Sequence, residues 1–89
     1  MDIVFTPEGW NDFSYWITED RAIVAKIQQL LRAIRQEPFR GIGKPEPLKQ
    51  NYQGYWSRRI NKEHRLVYRI AGKRGEDQRI IVVKCRFHY

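Results

Sequence analysis

The sequence predicts an α+β domain in which two N-terminal helices pack on one face of a small, mainly antiparallel sheet. Three observations predict it. Apolar residues between 23 and 34 recur at the 3,4 spacing of a helix stripe. Beyond residue 54 the chain changes to short apolar and β-branched runs of strand length. Between these regions lies "PFRGIGKPEP" (38–47), punctuated by proline and glycine and read as a loop. Helices followed by strands, rather than alternating with them, argue for two layers. With 89 residues the chain makes one domain, 1–89, able to bury somewhat over ~60% of its unfolded surface.

Taken in order, "DIVF" (2–5) reads as a short strand. Thr6 is placed to cap a first helix that has Pro7 at its first position, with Trp10, Phe13, Tyr15, Trp16 and Ile17 approximating an apolar face. Gly9 in the first turn weakens that helix. Asp20 caps a second helix whose buried stripe is Ile23, Val24, Ile27, Leu30, Leu31 and Ile34, and Pro38 stops it. Three strands are expected at "GYWSRRI" (54–60), "HRLVYRI" (64–70) and "QRIIVVKCRFHY" (78–89), joined by short "NKE" and longer "AGKRGED" turns.

Strand parity sorts the side chains into faces. Leu66, Tyr68 and Ile70 are assigned to the helices, leaving Arg65, Val67 and Arg69 on the open face. In the last strand, Ile81, Val83, Cys85 and Phe87 form one apolar set, so its complement, Ile80, Val82, Lys84, Arg86 and His88, is expected on the open face with Arg65. Tyr55, Ser57 and Arg59 join them, while Trp56 and Ile60 face inward and Arg58 breaks the pattern. An ordinary solvated sheet face is the competing reading of these cations.

Lys and Arg number 17 against 10 Asp and Glu, a net charge of +7, which points to a polyanionic partner, nucleic acid or an anionic surface. The longest apolar run, "IIVV" (80–83), is far below the roughly 18 residues of a membrane span, so a soluble, unexported, cytoplasmic protein is expected. The single cysteine, Cys85, has no partner for an internal disulfide or a metal-ligand spacing and reads as a small core residue. His64 lies opposite Arg65 by parity and reads as structural; Trp10, Trp16 and Trp56 read as core or interface residues. "GIGK" is not a phosphate loop, because the glycine spacing and the following Ser/Thr are missing and Pro45 stands where a helix would start.

Glu46 stands between Pro45 and Pro47, which restrict its backbone and hold one carboxylate in place at low entropic cost. Glutamate, arginine and histidine together support a phosphodiester chemistry that needs no metal or cofactor. RNA carries its own nucleophile in the 2'-OH. A carboxylate can deprotonate it, a guanidinium can stabilise the phosphorane-like charge, and an imidazole can protonate the leaving 5' oxygen. Neighbouring cations lower a carboxylate's pKa and disfavour imidazolium, so desolvation or positioning has to supply part of the acceleration. Tyr55 and Tyr89 suit stacking on unpaired bases, and equally suit packing at the sheet edge.

The stretches "KPEPLK", "GYWSRRI", "EHRLVYRI" and the terminal "CRFHY", with "FTPEGWNDFSYW" and "RAIVAKI" upstream, resemble the YoeB-type toxins of the RelE superfamily over nearly the whole chain. The resemblance implies a microbial-RNase-like, RelE-like fold and cleavage of mRNA in the A site of the 70S ribosome, leaving a 2',3'-cyclic phosphate and a 5'-OH. It further implies Glu46 as general base, Arg65 as the phosphate-stabilising arginine, His88 as general acid and Tyr89 as an orienting or stacking residue. Lys49 and Arg59 are implied as supporting cations, and Arg86 shares the face assigned to RNA. The "AGKRGED" turn departs from the family by its length. A YefM-like antitoxin is the implied partner, and a homodimer is compatible with the exposed aromatics of the first helix. Two rivals remain at this point: a ParE-like gyrase inhibitor without a nuclease site, and a non-catalytic module that docks on RNA or the ribosome by charge.

Overall fold

The computed structural model describes residues 1–88; Tyr89, expected to orient or stack, lies outside the described residues. The elements are β1 (Asp2–Phe5), α1 (Pro7–Glu19), α2 (Arg21–Gln36), β2 (Glu46–Pro47), a 3-10 turn (Gln50–Tyr52), β3 (Trp56–Arg59), β4 (Arg65–Ala71) and β5 (Arg79–Lys84). Both helix starts have a polar cap. The Thr6 hydroxyl accepts from Gly9 N at 3.1 Å, and Asp20 Oδ1 accepts from Ala22 N and Ile23 N at 3.0 and 3.3 Å, satisfying amides that a helix leaves unpaired.

The strands form one five-stranded sheet in the order β1-β5-β4-β3-β2. Among the described residues only the β1–β5 pair is parallel, with Ile3 beside Ile80 and Phe5 beside Val82. The core lies between this sheet and the helices: Ile27, Leu30 and Ile34 of α2 pack with Leu66, Tyr68, Ile80 and Val82, all fully buried. Gly9 has a packing reason for its place in a helix. It is where α1 crosses β5, and a Cβ there would collide with the carbonyl oxygen of Val82.

The last strand corrects the sequence reading twice. Its helix-facing residues are Ile80 and Val82, paired with Ile70 and Tyr68, whereas Ile81 pairs with Arg69 on the outer face. The expected set Ile81, Val83, Cys85 and Phe87 therefore does not share a face. A register shift lies between the Tyr68–Val82 and Val67–Lys84 pairs, leaving Val83 as an extra residue. This bulge reverses the parity, so Lys84 reaches the outer face and Cys85 returns to the core. The strand also ends at Lys84 instead of running to 89. Two side chains of α1 end it by taking over the backbone of Cys85: Asp12 Oδ2 accepts from Cys85 N at 3.0 Å, and Trp16 Nε1 donates to the Cys85 carbonyl at 2.8 Å.

Arg58, the residue that broke the alternation of its strand, faces inward and is fully buried. Its Nε donates to Tyr68 Oη at 3.1 Å, Nη1 to the Ile42 carbonyl at 3.1 Å, and Nη2 to the Glu37 and Arg40 carbonyls at 2.7 and 2.8 Å. Glu37 is the C-cap of α2, so a cation meets the negative end of that helix. Tyr68 Oη in turn donates a hydrogen bond to the Pro38 carbonyl at 2.7 Å, and burial raises its pKa against the opposing effect of Arg58. The loop that leads to β2 is thereby tied to the centre of the sheet.

Candidate active site on the outer face of the sheet

Residues 46 and 47, read from sequence as loop, form a two-residue edge strand instead. The preceding turn uses positive φ at Gly43 (+83°) and Lys44 (+51°), and the Gly43 carbonyl accepts from Arg59 N at 2.6 Å. Leu48 N donates to the Tyr55 carbonyl at 2.9 Å, closing the other end. Pro47 donates no ladder bond, which an edge position tolerates. This segment holds Glu46 opposite Ser57, on the face away from the helices.

Register then defines a row across that face: Glu46, Ser57, Val67 and Lys84. The next row holds Arg59 opposite Arg65. With strands about 4.8 Å apart and alternate residues about 6.8 Å apart along a strand, the Cα atoms of Glu46 and Arg65 stand roughly 12 Å apart. Glu46, Lys49 and Arg59 are exposed, and Glu46, Leu48, Lys49 and Tyr52 line a cleft of about 510 Å³. The middle of the row is not open to solvent. Ser57 and Val67 are buried, and Tyr52 reaches across as far as β5, its ring 5.7 Å from Lys84 Nζ. The hydrogen bond with Tyr52 raises the pKa of Lys84, and Glu8, 3.7 Å away, adds to the effect. Tyr55 is half-buried and packs edge-on against Tyr52, with ring centroids 6.0 Å apart.

Arg65 is buried to 9% exposure with its guanidinium held at the β3–β4 turn. There Nη1 donates to the carbonyls of Asn61, Lys62 and His64 at 2.8, 3.3 and 3.1 Å, which fixes the plane of the fork. The backbone N–H of Arg65 donates to the Phe87 carbonyl at 3.1 Å. His88, exposed and next in the chain, therefore begins beside Arg65 although β5 has already ended.

Arg86 departs from its expected place on the open face. Its guanidinium carbon lies 3.5 Å from the ring centre of Tyr15 on α1 and 4.5 Å from that of Phe87, an arrangement of stacking rather than exposure. The early end of the strand is the physical reason: β5 stops at Lys84, the Cys85 backbone is bound by Asp12 and Trp16 of α1, and Arg86 lies beyond the alternation. Sequence reasoning gave Tyr52 no place at all, since its approach to Lys84 depends on the fold of 48–52 over the sheet. Among the described residues no group of three or more His, Cys, Asp or Glu side chains is arranged to hold a metal ion.

Residues 5–89 match the model of the YoeB-like toxin of bacterial type II toxin-antitoxin systems. The chain belongs to that family. Toxin YoeB of Synechocystis is 51% identical over 89 residues, covering 100% of this chain and 98% of the relative. Among solved structures, the YoeB/ParE toxin from Agrobacterium tumefaciens superposes with a TM-score of 0.94 at 49% identity, covering 100% of each chain. YoeB of Staphylococcus aureus, solved as a dimer, gives 0.88 at 43% identity, covering 100% of this chain and 98% of that one; a YoeB-YefM complex from Staphylococcus aureus gives 0.87 at 42% identity, with the same coverage. The mixed sheet is thus that of the YoeB-like fold.

Proposed function

We propose that this toxin is a ribosome-dependent endoribonuclease that cuts mRNA in the A site of the 70S ribosome. In this reading Glu46 takes the proton from the 2'-OH, which attacks the adjacent phosphorus. Arg65 neutralises charge on the phosphoryl oxygens, and His88 protonates the departing 5' oxygen. Bond making and breaking leave a 2',3'-cyclic phosphate and a 5'-OH, with no metal in the step. Lys49 and Arg59 hold flanking phosphates, and Tyr55 and Tyr89 meet bases.

The observation that carries the reading is the shared outer face: Glu46 stands one row from Arg65, whose backbone holds the residue before His88. Membership of the YoeB-like family supports it. A YefM-like antitoxin is the proposed partner, by analogy with the Staphylococcus aureus complex, and its binding competes with RNA for the basic face. A second copy of the chain is a further partner, meeting the aromatic group of Phe5, Trp10 and Phe13, in which Trp10 is 52% exposed.

Purified protein added to programmed ribosomes and to free mRNA, with analysis of fragment ends, tests the proposal. Cyclic phosphate ends appearing with ribosomes are expected; intact message on ribosomes sinks it.

A further inference from the structure

His64 is a buried histidine that the proposed reaction does not use. Its backbone is set by an Asx turn, in which Asn61 Oδ1 accepts from Glu63 N at 2.9 Å and from His64 N at 2.8 Å. Its ring stands edge-on to Trp16, with centroids 4.7 Å apart. The ring nitrogen Nδ1 accepts from the backbone N–H of Phe87 at 2.7 Å. An accepting Nδ1 carries no proton, so the imidazole is the neutral tautomer with its hydrogen on Nε2.

Phe87 is unusual in two ways. Its φ is +65°, in the left-handed region that a residue with a bulky side chain rarely adopts. Its ring is 58% exposed, with Arg86 stacked on it at 4.5 Å and the His64 ring tilted against it at 5.7 Å between centroids. What holds it is a two-point clamp: Nδ1 of His64 takes its N–H and the N–H of Arg65 takes its carbonyl. The chain turns at this residue, and His88 is the next one along.

We propose that His64 is a positioning residue for the nuclease site, fixing Phe87 in its left-handed turn so that His88 is delivered to the phosphate held by Arg65. This rests on the nuclease reading above. His64 does not touch substrate; it acts through its hydrogen bond to the Phe87 backbone, beside the contact between the two rings. The same bond couples two candidate groups, because consecutive residues of the chain, 64 and 65, hold the tail and supply the guanidinium.

Two substitutions separate the hydrogen bond from the packing. His64→Phe keeps an aromatic ring against Trp16 and removes the acceptor, whereas His64→Asn keeps an acceptor oxygen near the place of Nδ1 and removes the ring. On programmed ribosomes His64→Phe is expected to lower kcat about 10- to 100-fold with little change in KM, and His64→Asn to recover most of the loss. Amide exchange at Phe87, followed by NMR on the full-length protein, is expected to quicken in His64→Phe and to stay slow in His64→Asn. Unchanged kcat in His64→Phe overturns the proposal, as does unchanged Phe87 exchange. Equal losses in both variants, with equal losses of thermal stability, overturn it in favour of packing alone. If the wild type makes no cut, the nuclease reading falls, and unchanged exchange in His64→Phe then decides against the clamp independently.

Discussion

Arg58 Nε donates to Tyr68 Oη at 3.1 Å in the middle of the core, and the ion pairs among the described residues do not involve Arg58. Three loop carbonyls and one phenol replace the usual counterion, so removal of the guanidinium strands several buried acceptors. Arg58→Met, which keeps much of the volume, is expected to lose about 3 kcal/mol of stability in urea unfolding. The loop before β2 is also expected to become protease-sensitive.

Gly9→Ala sets two effects against each other. Alanine favours a helix over glycine by up to about 1 kcal/mol. Its Cβ would meet the Val82 carbonyl oxygen, a backbone atom that cannot swing aside, and forced displacement in a packed core costs about 1–3 kcal/mol. A net loss of about 1–2 kcal/mol is expected, measured by denaturant unfolding.

Cleavage and binding are expected to separate. Glu46→Gln and His88→Ala should each lower the rate about 100- to 10,000-fold while leaving salt-dependent RNA binding nearly unchanged. Lys49→Ala should instead weaken binding and make its dependence on log salt shallower by about one unit of slope. Uniform behaviour of the three variants would show that these roles are misassigned.

Burial, with a further contribution from Asp12, pushes the Cys85 thiol up from 9.0 to about 12. A folded-state pKa above the unfolded value gives a stabilisation that is complete below the unfolded pKa. It is lost as pH rises toward the folded one, because the unfolded chain ionises first. Thermal stability is therefore expected to fall between about pH 9 and about pH 12, and less steeply in Cys85→Ala. Native protein at about pH 8 should resist thiol reagents that label the unfolded chain at once.

Much of this architecture was legible because the signals are local. Thr6, Pro7 and Asp20 announce helix starts, and the stripe from Ile23 to Ile34 fixes the buried face of α2. The faces of β4 were readable because its alternation is clean, with Leu66 and Tyr68 inward and Arg65 outward. β5 was not readable. "IIVV" is apolar on both faces and gives no sign of the bulge at Val83, and the strand end at Lys84 depends on Asp12 and Trp16, more than 65 residues away. The inward turn of Arg58 left a trace, a charge out of step, yet its partners are carbonyls that no sequence pattern displays. Glu46 drew notice through its flanking prolines. Its place on the outer face follows from two ladder pairs too short to predict.

The parallel pairing of β1 with β5 joins the first strand of the chain to the last. During synthesis the opening segment waits without its neighbour until residues 79–82, more than seventy positions later, have emerged. The sheet is thus joined up by the pairing that is farthest apart along the polypeptide, and its first strand is the one that must wait.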